Sequence, residues 1–465
     1  MFKKIELLPS KVLIAIGTAT LIFLISSIAR HLLFQSNALD LGWFDQAVYL
    51  ISQNQNPIIS FRGFHILGDH ASFILYPIAL FYKLYPSVYW LLFIQAIALS
   101  LGAWPIWLLA NQAGLKDDQA FAVTIAFLLY PLLFNVNLFD FHPEVIALPA
   151  ILWAIWTARN QKLLGFIVSI VIILSCKAVL SLTVAAMGFW LLIWEKKKVY
   201  GVIALISGVA WFIIATKVII PQFSGAEVAA VGRYSFLGNS VTEIIQNLIL
   251  KPNLILGRIF TGENLGYLLL LIAPVLWGLS FQYLTPLIPA LPSLFLNLLT
   301  DYFPQKDITH QYSIAILPFL FLAVITSLAH NKGLVKNPKG IIIWSLITFL
   351  ALGKYGYFFS KYLENWDNLA AMQEAVSLVK TDESLLVSPQ IAPHLSQRVM
   401  VQLAIKDAEP IDPTTFTYIL LNTRHPGWEN SQETVKNLVQ QLQQNPDFKT
   451  QYQRDDIWLF QKKNN

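Results

Sequence analysis

Val12 to Ala29 are eighteen consecutive residues without a charge, and a run of that kind narrows what the chain around it can be. As a helix it crosses a hydrocarbon core of roughly 30 Å, and inside a bilayer only helices and closed barrels satisfy their own backbone. Similar runs recur, giving eleven candidate spans at about 12–30, 88–110, 119–135, 144–158, 163–176, 179–194, 199–219, 267–280, 283–299, 312–330 and 340–358. Lys177 divides two short runs that together read as one broken or tilted pair. Segment 72–86, interrupted by Lys83 and Pro86, reads as a re-entrant or interfacial piece. With 56% hydrophobic and only 13% charged residues among 465, the chain has more apolar surface than a soluble core can hide. The expected fold class is a polytopic α-helical membrane protein of about eleven transmembrane helices.

Met1-Phe2-Lys3-Lys4 could open a signal peptide, but the apolar run is too long and no small-residue cleavage site follows it, so it reads as a retained first helix. The lone Cys176 excludes an internal disulfide. The net charge of +5 is small, and no nucleic-acid partner is expected. Its distribution says more. With the N-terminus inside, one side collects Lys3, Lys4, Lys11, Lys116, Arg159, Lys162, Lys196, Lys197, Lys198, Lys332, Lys336 and Lys339, as the positive-inside bias requires. The opposite loops, 31–87, 136–144, 220–266 and 300–311, are then outer.

Residues 1–360 form the membrane domain, and from about 361 the composition changes. Leu369, Met372, Val376 and Val379 fall at helical spacing, short apolar strands follow at 385–388, 398–403 and 416–421, and Ser431 opens a second amphipathic helix. A hairpin-like pair near 447–452 and 456–462 turns at Arg454-Asp455-Asp456. Residues 361–465 thus read as a soluble, extracytoplasmic α/β domain.

The residues that look chemical gather in the outer loops. Asp40 and Asp45 follow the first span, and Asp45 and Tyr49 share a face if the stretch is an interfacial helix. Asp69-His70 follows Gly68. Asp140, His142 and Glu144 alternate in Phe139-Asp140-Phe141-His142-Pro143-Glu144, where Pro143 suits the first turn of the next helix. Such a cluster suits a hard divalent cation, Mg or Mn, with Asp45, His70, Asp140 and His142 as optional ligands. Lys177, Arg233, Lys306, His310 and Tyr312 add cationic and aromatic groups suited to an anionic lipid head group. Each also has a plainer reading: the aspartates as helix caps, Lys177 as a snorkelling side chain, Trp43, Tyr89 and Trp90 as an aromatic belt.

The series D-L-G-W-F-D-Q (40–46), G-D-H (68–70), N-L-F-D-F-H-P-E (137–144), H-Q-Y-S-I-A-I-L-P-F (310–319) and R-H-P-G-W (424–428) resembles the bacterial membrane family catalogued as domain of unknown function 2079. That family is similar to the GT-C superfamily of membrane glycosyltransferases, in which an acid of the first outer loop, commonly in an Asp-Glu pair, acts at the catalytic centre. The resemblance implies a GT-C-like fold and transfer of a sugar from a polyprenyl-phosphate donor to a lipid, glycan or protein acceptor. It makes Asp45 the expected general base, with Asp40 as rival. Asp69, His70, Asp140, His142 and Glu144 would shape the pocket, and Lys177, Arg233 and His310 would neutralise the donor phosphate. Gln46 departs from the superfamily pattern, as do Ala178 and Val179 where relatives carry acids. A transporter or flippase for a lipid-linked or polar solute, and a noncatalytic envelope assembly protein, are the other classes open to such a chain. A transport path would spread its acids through the membrane centre, whereas these collect on one face.

Overall fold

The computed structural model describes residues 8–405 and 412–463, so Lys3 and Lys4 of the charge tally lie outside the described residues. The chain is mostly helical. Five helices are long and apolar enough to cross a membrane: Ser10–Leu32, Tyr89–Gln112, Asp117–Leu138, Lys198–Ser224 and Pro338–Leu378. A sixth is added if Pro252–Ile259 and Gly262–Gly278, bent by 62°, count as one span. The other expected crossings fall on shorter helices, among them Glu144–Arg159, Leu163–Cys176, Leu180–Ile193 and Leu317–Ala329. Proline explains some of the interruptions. Pro274, Pro286 and Pro289 lie in 3-10 turns, because each lacks an amide donor and crowds the preceding turn. All three are buried, which is where irregular backbone is tolerated at membrane depth.

Helix Leu180–Ile193 packs on Lys198–Ile214 through small residues. A Cβ at Gly208 would lie 2.5 Å from the Ala185 amide nitrogen, so these backbones meet as small residues allow in lipid. At the junction before Leu180, Lys177 is extended, with φ −161° and ψ 137°, and the chain breaks there as its charge predicts.

The C-terminal unit holds a five-stranded sheet in the order Val401–Leu403, Leu385–Val387, Tyr418–Asn422, Ile457–Lys462, Phe448–Arg454. The first three strands are parallel and the last two antiparallel. Alternate residues feed opposite faces: Val387, Leu420 and Leu459 join Met372 under helix Leu369–Leu378, while Leu386, Ile419 and Phe460 join Val435 and Leu442 under helix Gln432–Gln444. Asp455 and Asp456 both have positive φ, 47° and 65°, as a tight two-residue hairpin requires. The boundary expected at 360/361 falls inside the helical run Pro338–Leu378, so the unit is joined to the bundle by helix rather than by a loose linker.

Candidate active site

Three segments meet where the bundle abuts the C-terminal unit. After the first helix, Asn37 caps a π-turn at Ala38–Gly42 with its side chain, accepting from the Leu39 amide at 2.7 Å, and helix Trp43–Ser52 continues directly. The Asn37 amide donates to Asp140 Oδ2 at 2.8 Å, and Arg30 Nη1 lies 2.9 Å from Asp140 Oδ1. These contacts hold Asp140 at φ +98°, a conformation a non-glycine residue keeps only when its surroundings impose it. Burial pushes the Asp140 carboxyl up to about 6 against the pull of Arg30.

That strained turn aims His142. Its Nδ1 lies 3.2 Å from the Asp140 carbonyl and its Nε2 3.2 Å from Asp40 Oδ1. A carbonyl can only accept, so Nδ1 donates. Burial alone would lower the His142 pKa, but the Asp40 carboxylate and Glu144 oppose it and the net shift is upward. Asp40 keeps about a fifth of its side chain exposed, and its Oδ2 makes no hydrogen bond among the described residues.

A cationic and aromatic wall stands nearby. Lys177 Nζ is 2.7 Å from Glu144 Oε1, both nearly buried, and 5.6 Å from the Tyr312 ring centre. Arg233 lies 4.3 Å from the centre of Tyr302 and 5.3 Å from that of Tyr312, and donates to Gln305 Oε1 at 2.9 Å. It has no acidic partner within ion-pair distance among the described residues, whereas Lys177 is already compensated. A run of ring neighbours, His142, Phe139, His310 and Tyr312, links Asp40 to this wall. Asp69 and His70 adjoin Lys177: the Ala178 amide donates to the His70 carbonyl at 2.8 Å, and His70 Nε2 is 3.2 Å from Asp69 Oδ2. Gly68 permits this, since a Cβ there would lie 2.8 Å from the Phe223 backbone. Burial pushes Asp69 up to about 6 and holds His70 well below the usual imidazole range, with Lys177 lowering both. His310 is tied to Asp307 through Nδ1 at 2.8 Å and sits edge-on to Phe139, 4.3 Å between centres, while Phe139 stacks on His142 at 5.5 Å.

Asp45 is elsewhere. Five residues beyond Asp40, past the π-turn, it takes a different set of partners from Asp40 and is 1% exposed. Its Oδ1 accepts from Tyr82 at 2.7 Å and from Gln397 at 3.1 Å, and its Oδ2 from Ser396 at 2.6 Å. Burial raises its pKa against these donors. Asp45, expected as the base, has both carboxylate oxygens occupied by these donors, and it fastens the first loop to the C-terminal unit. The expected metal set is not assembled either: Asp45, His70, Asp140 and His142 each take a different partner, and among the described residues no three His, Cys, Asp or Glu side chains form a metal-binding group.

Gln46, the departure from the Asp-Glu pattern, has a physical reason. Its Nε2 donates to Ser60 Oγ at 2.7 Å and to the Arg398 carbonyl at 3.0 Å, while its Oε1 accepts from the Ser60 amide at 3.0 Å. A glutamate could not donate and would face that carbonyl with a buried charge. Gln46→Glu is therefore expected to destabilise the protein by about 2–4 kcal/mol, read as a lower midpoint of thermal unfolding; an unchanged midpoint would remove Gln46 from this seam. Arg30, Asn37, Tyr82, Tyr302, Asp307, Ser396 and Gln397 were not singled out from the sequence. Only Arg30 left a signal there, as a charge at the end of the first apolar run.

A helical bundle with broken spans and an appended α/β unit has the make-up of a polytopic membrane protein. The family described as "Predicted membrane protein (DUF2079)" matches residues 30–459, and the chain belongs to it. Among solved structures it is similar to ArnT from Cupriavidus metallidurans bound to undecaprenyl phosphate, at 11% identity and a TM-score of 0.53 over 98% of both chains. The apo state of the same protein matches at 10% identity and a TM-score of 0.54 over 97% of both. At that identity the likeness is one of fold. No curated protein matches the sequence.

Proposed function

We propose that the chain is a membrane glycosyltransferase that takes a sugar from a polyprenyl-phosphate donor on the outer face of the membrane. The observation that carries this is an acid with one oxygen free of hydrogen bonds, Asp40, joined through the rings of His142, Phe139, His310 and Tyr312 to Arg233, a cation set beside two tyrosines with no acidic partner among the described residues. The fold it shares with a protein that has been seen bound to undecaprenyl phosphate supports the choice of donor.

In this reading the acceptor hydroxyl oxygen attacks the anomeric carbon as the bond from that carbon to the phosphate oxygen breaks. The electron pair leaves with the phosphate and the hydroxyl proton passes to Asp40 Oδ2. His142 holds Asp40 in place through its Nε2. Arg233 meets the phosphate, and Lys177, neutralised by Glu144, acts chiefly by shaping the wall with Asp69 and His70. His310, fixed by Asp307, contributes its ring edge and its free Nε2. Asp140 holds Arg30 and the turn that aims His142.

The test is transfer of labelled sugar from polyprenyl-phosphate donors by the purified full chain in liposomes. Arg233→Gln should weaken donor binding about tenfold to a hundredfold, the worth of a charge-assisted phosphate contact, with a smaller effect on turnover at saturation. Donor that crosses the bilayer intact, with no product at either face, would replace this reading with that of a flippase. Labelling of single cysteines should place residues 40, 142 and 390 on one side and residues 116, 197 and 336 on the other.

A further inference from the structure

Helix Leu75–Leu84, which leads into the span Tyr89–Gln112, reads L-Y-P-I-A-L-F-Y-K-L and is apolar on two sides. On one side Leu75, Ile78, Ala79 and Tyr82 are buried, and Tyr82 reaches Asp45 at 2.7 Å. The other side carries Tyr76, Leu80 and Leu84, spaced four apart and all exposed, Leu84 at 80%. An exposed strip this apolar needs a partner, and in a membrane protein the bilayer is at hand. Aromatic groups at the helix end agree. The Trp90 indole donates to the Tyr85 carbonyl at 3.1 Å and lies 5.1 Å from the Phe81 ring, a grouping found where spans meet lipid head groups.

Lys83 is the one charge on this helix, in its last turn, where the dipole favours a cation. Its ammonium donates to Asn54 Oδ1 at 3.1 Å, which bridges the helix to the turn that Asn54, at φ +57°, makes after helix Trp43–Ser52. Lys83 and Asn54, with Ile51, Gln55, Tyr76 and Leu80, line a cavity of about 380 Å³, within the range of small-molecule sites. No acid lines it, and among the described residues Lys83 has no acidic partner within ion-pair distance. Asn54 occupies one ammonium donor and the others stay open. Lys83, Asn54 and Gln55 are exposed, so the polar end of the cavity is accessible, while Leu80, 61% exposed, carries its wall onto the apolar strip.

We propose that this cavity is a binding site for an anionic phospholipid of the surrounding bilayer, with its phosphate on Lys83 and an acyl chain along Tyr76 and Leu80. An uncompensated cation at one end and an aliphatic strip at the other complement an anionic head joined to hydrocarbon, and basic pockets at the membrane surface bind such head groups. The site shares no lining residue with that of Asp40 and Arg233 and does not depend on the transferase reading.

Native mass spectrometry of the full chain released from detergent tests it. The probes are phosphatidylglycerol, phosphatidylcholine with the same chains, undecaprenyl phosphate, and glycerol 3-phosphate as a head group without chains. Phosphatidylglycerol should bind about fivefold more tightly than phosphatidylcholine, the worth of one cation beside a head group. Lys83→Gln should remove that preference, and Leu80→Ser should weaken both phospholipids. Lys361→Gln, which removes a lysine paired with Glu364, should bind as the unmodified chain does. Because Lys83 is exposed, its substitution should leave the midpoint of thermal unfolding in lipid-free detergent unchanged, so that lost binding is not lost folding. The proposal is overturned if the unmodified chain binds both phospholipids alike or if Lys83→Gln keeps the preference. It is overturned equally if undecaprenyl phosphate displaces phosphatidylglycerol, which marks a polyprenyl-lipid site, or if glycerol 3-phosphate displaces it as well as whole lipid does, which marks a site for a free ion.

Discussion

Asp40→Asn is expected to lower sugar transfer about 100-fold to 10,000-fold, the usual range for loss of a positioned general base, while donor affinity changes little. Asparagine keeps the size of the side chain and an oxygen for His142, but it cannot take the hydroxyl proton. Because His142 Nε2 lies 3.2 Å from Asp40 Oδ1, His142→Gln should lower turnover by a smaller factor, through poorer positioning of Asp40. Asp45→Asn is the discriminating control. Its carboxylate is enclosed by Tyr82, Ser396 and Gln397, so substitution should loosen the C-terminal unit, seen as faster proteolysis near 396–397, with turnover of the intact protein retained. Full loss of transfer in Asp45→Asn with normal proteolysis, beside normal transfer in Asp40→Asn, would return the base to Asp45.

Lys177→Met is expected to be among the most destabilising single changes in the membrane domain, at about 3–5 kcal/mol. The cost arises less from losing the Lys177–Glu144 attraction than from leaving Glu144 charged in a site where it is 5% exposed and its Oε2 already lacks a partner. The double change Lys177→Met with Glu144→Gln should therefore recover much of the loss, because no uncompensated charge remains. Thermal unfolding of the three variants in one detergent measures it. If the double variant is no more stable than Lys177→Met alone, the pair is not the unit it appears to be in the geometry. Donor binding separates this from a phosphate role: the double variant should keep most of its affinity, whereas Arg233→Gln should not.

Much of the architecture was legible because it is written in near neighbours. Uncharged runs mark the apolar helices, Lys177 marks a break, and the short, nearly continuous apolar runs within 385–388 and 416–421 mark strands buried on both faces. Paired aspartates mark the hairpin turn. The length of the crossings was less legible, since prolines at 274, 286 and 289 interrupt runs whose hydropathy continues through them, and hydropathy does not register a missing amide donor. That the first loop and the 136–144 loop meet is a long-range fact: Asn37 and Asp140 are joined across 103 positions.

What the sequence by itself determined is an apolar helical bundle, an α/β unit beyond it, and which loops hold the polar chemistry; each follows from periodicity and composition over a few turns of chain. Only the tertiary structure decided which acid is free. Asp40 and Asp45 look alike in sequence, but Asp45 meets Ser396 at a separation of 351 residues while Asp40 meets His142 and retains an open oxygen. Whether a carboxylate can act depends on the solvent and donors around it, and those come from segments whose approach no local pattern encodes.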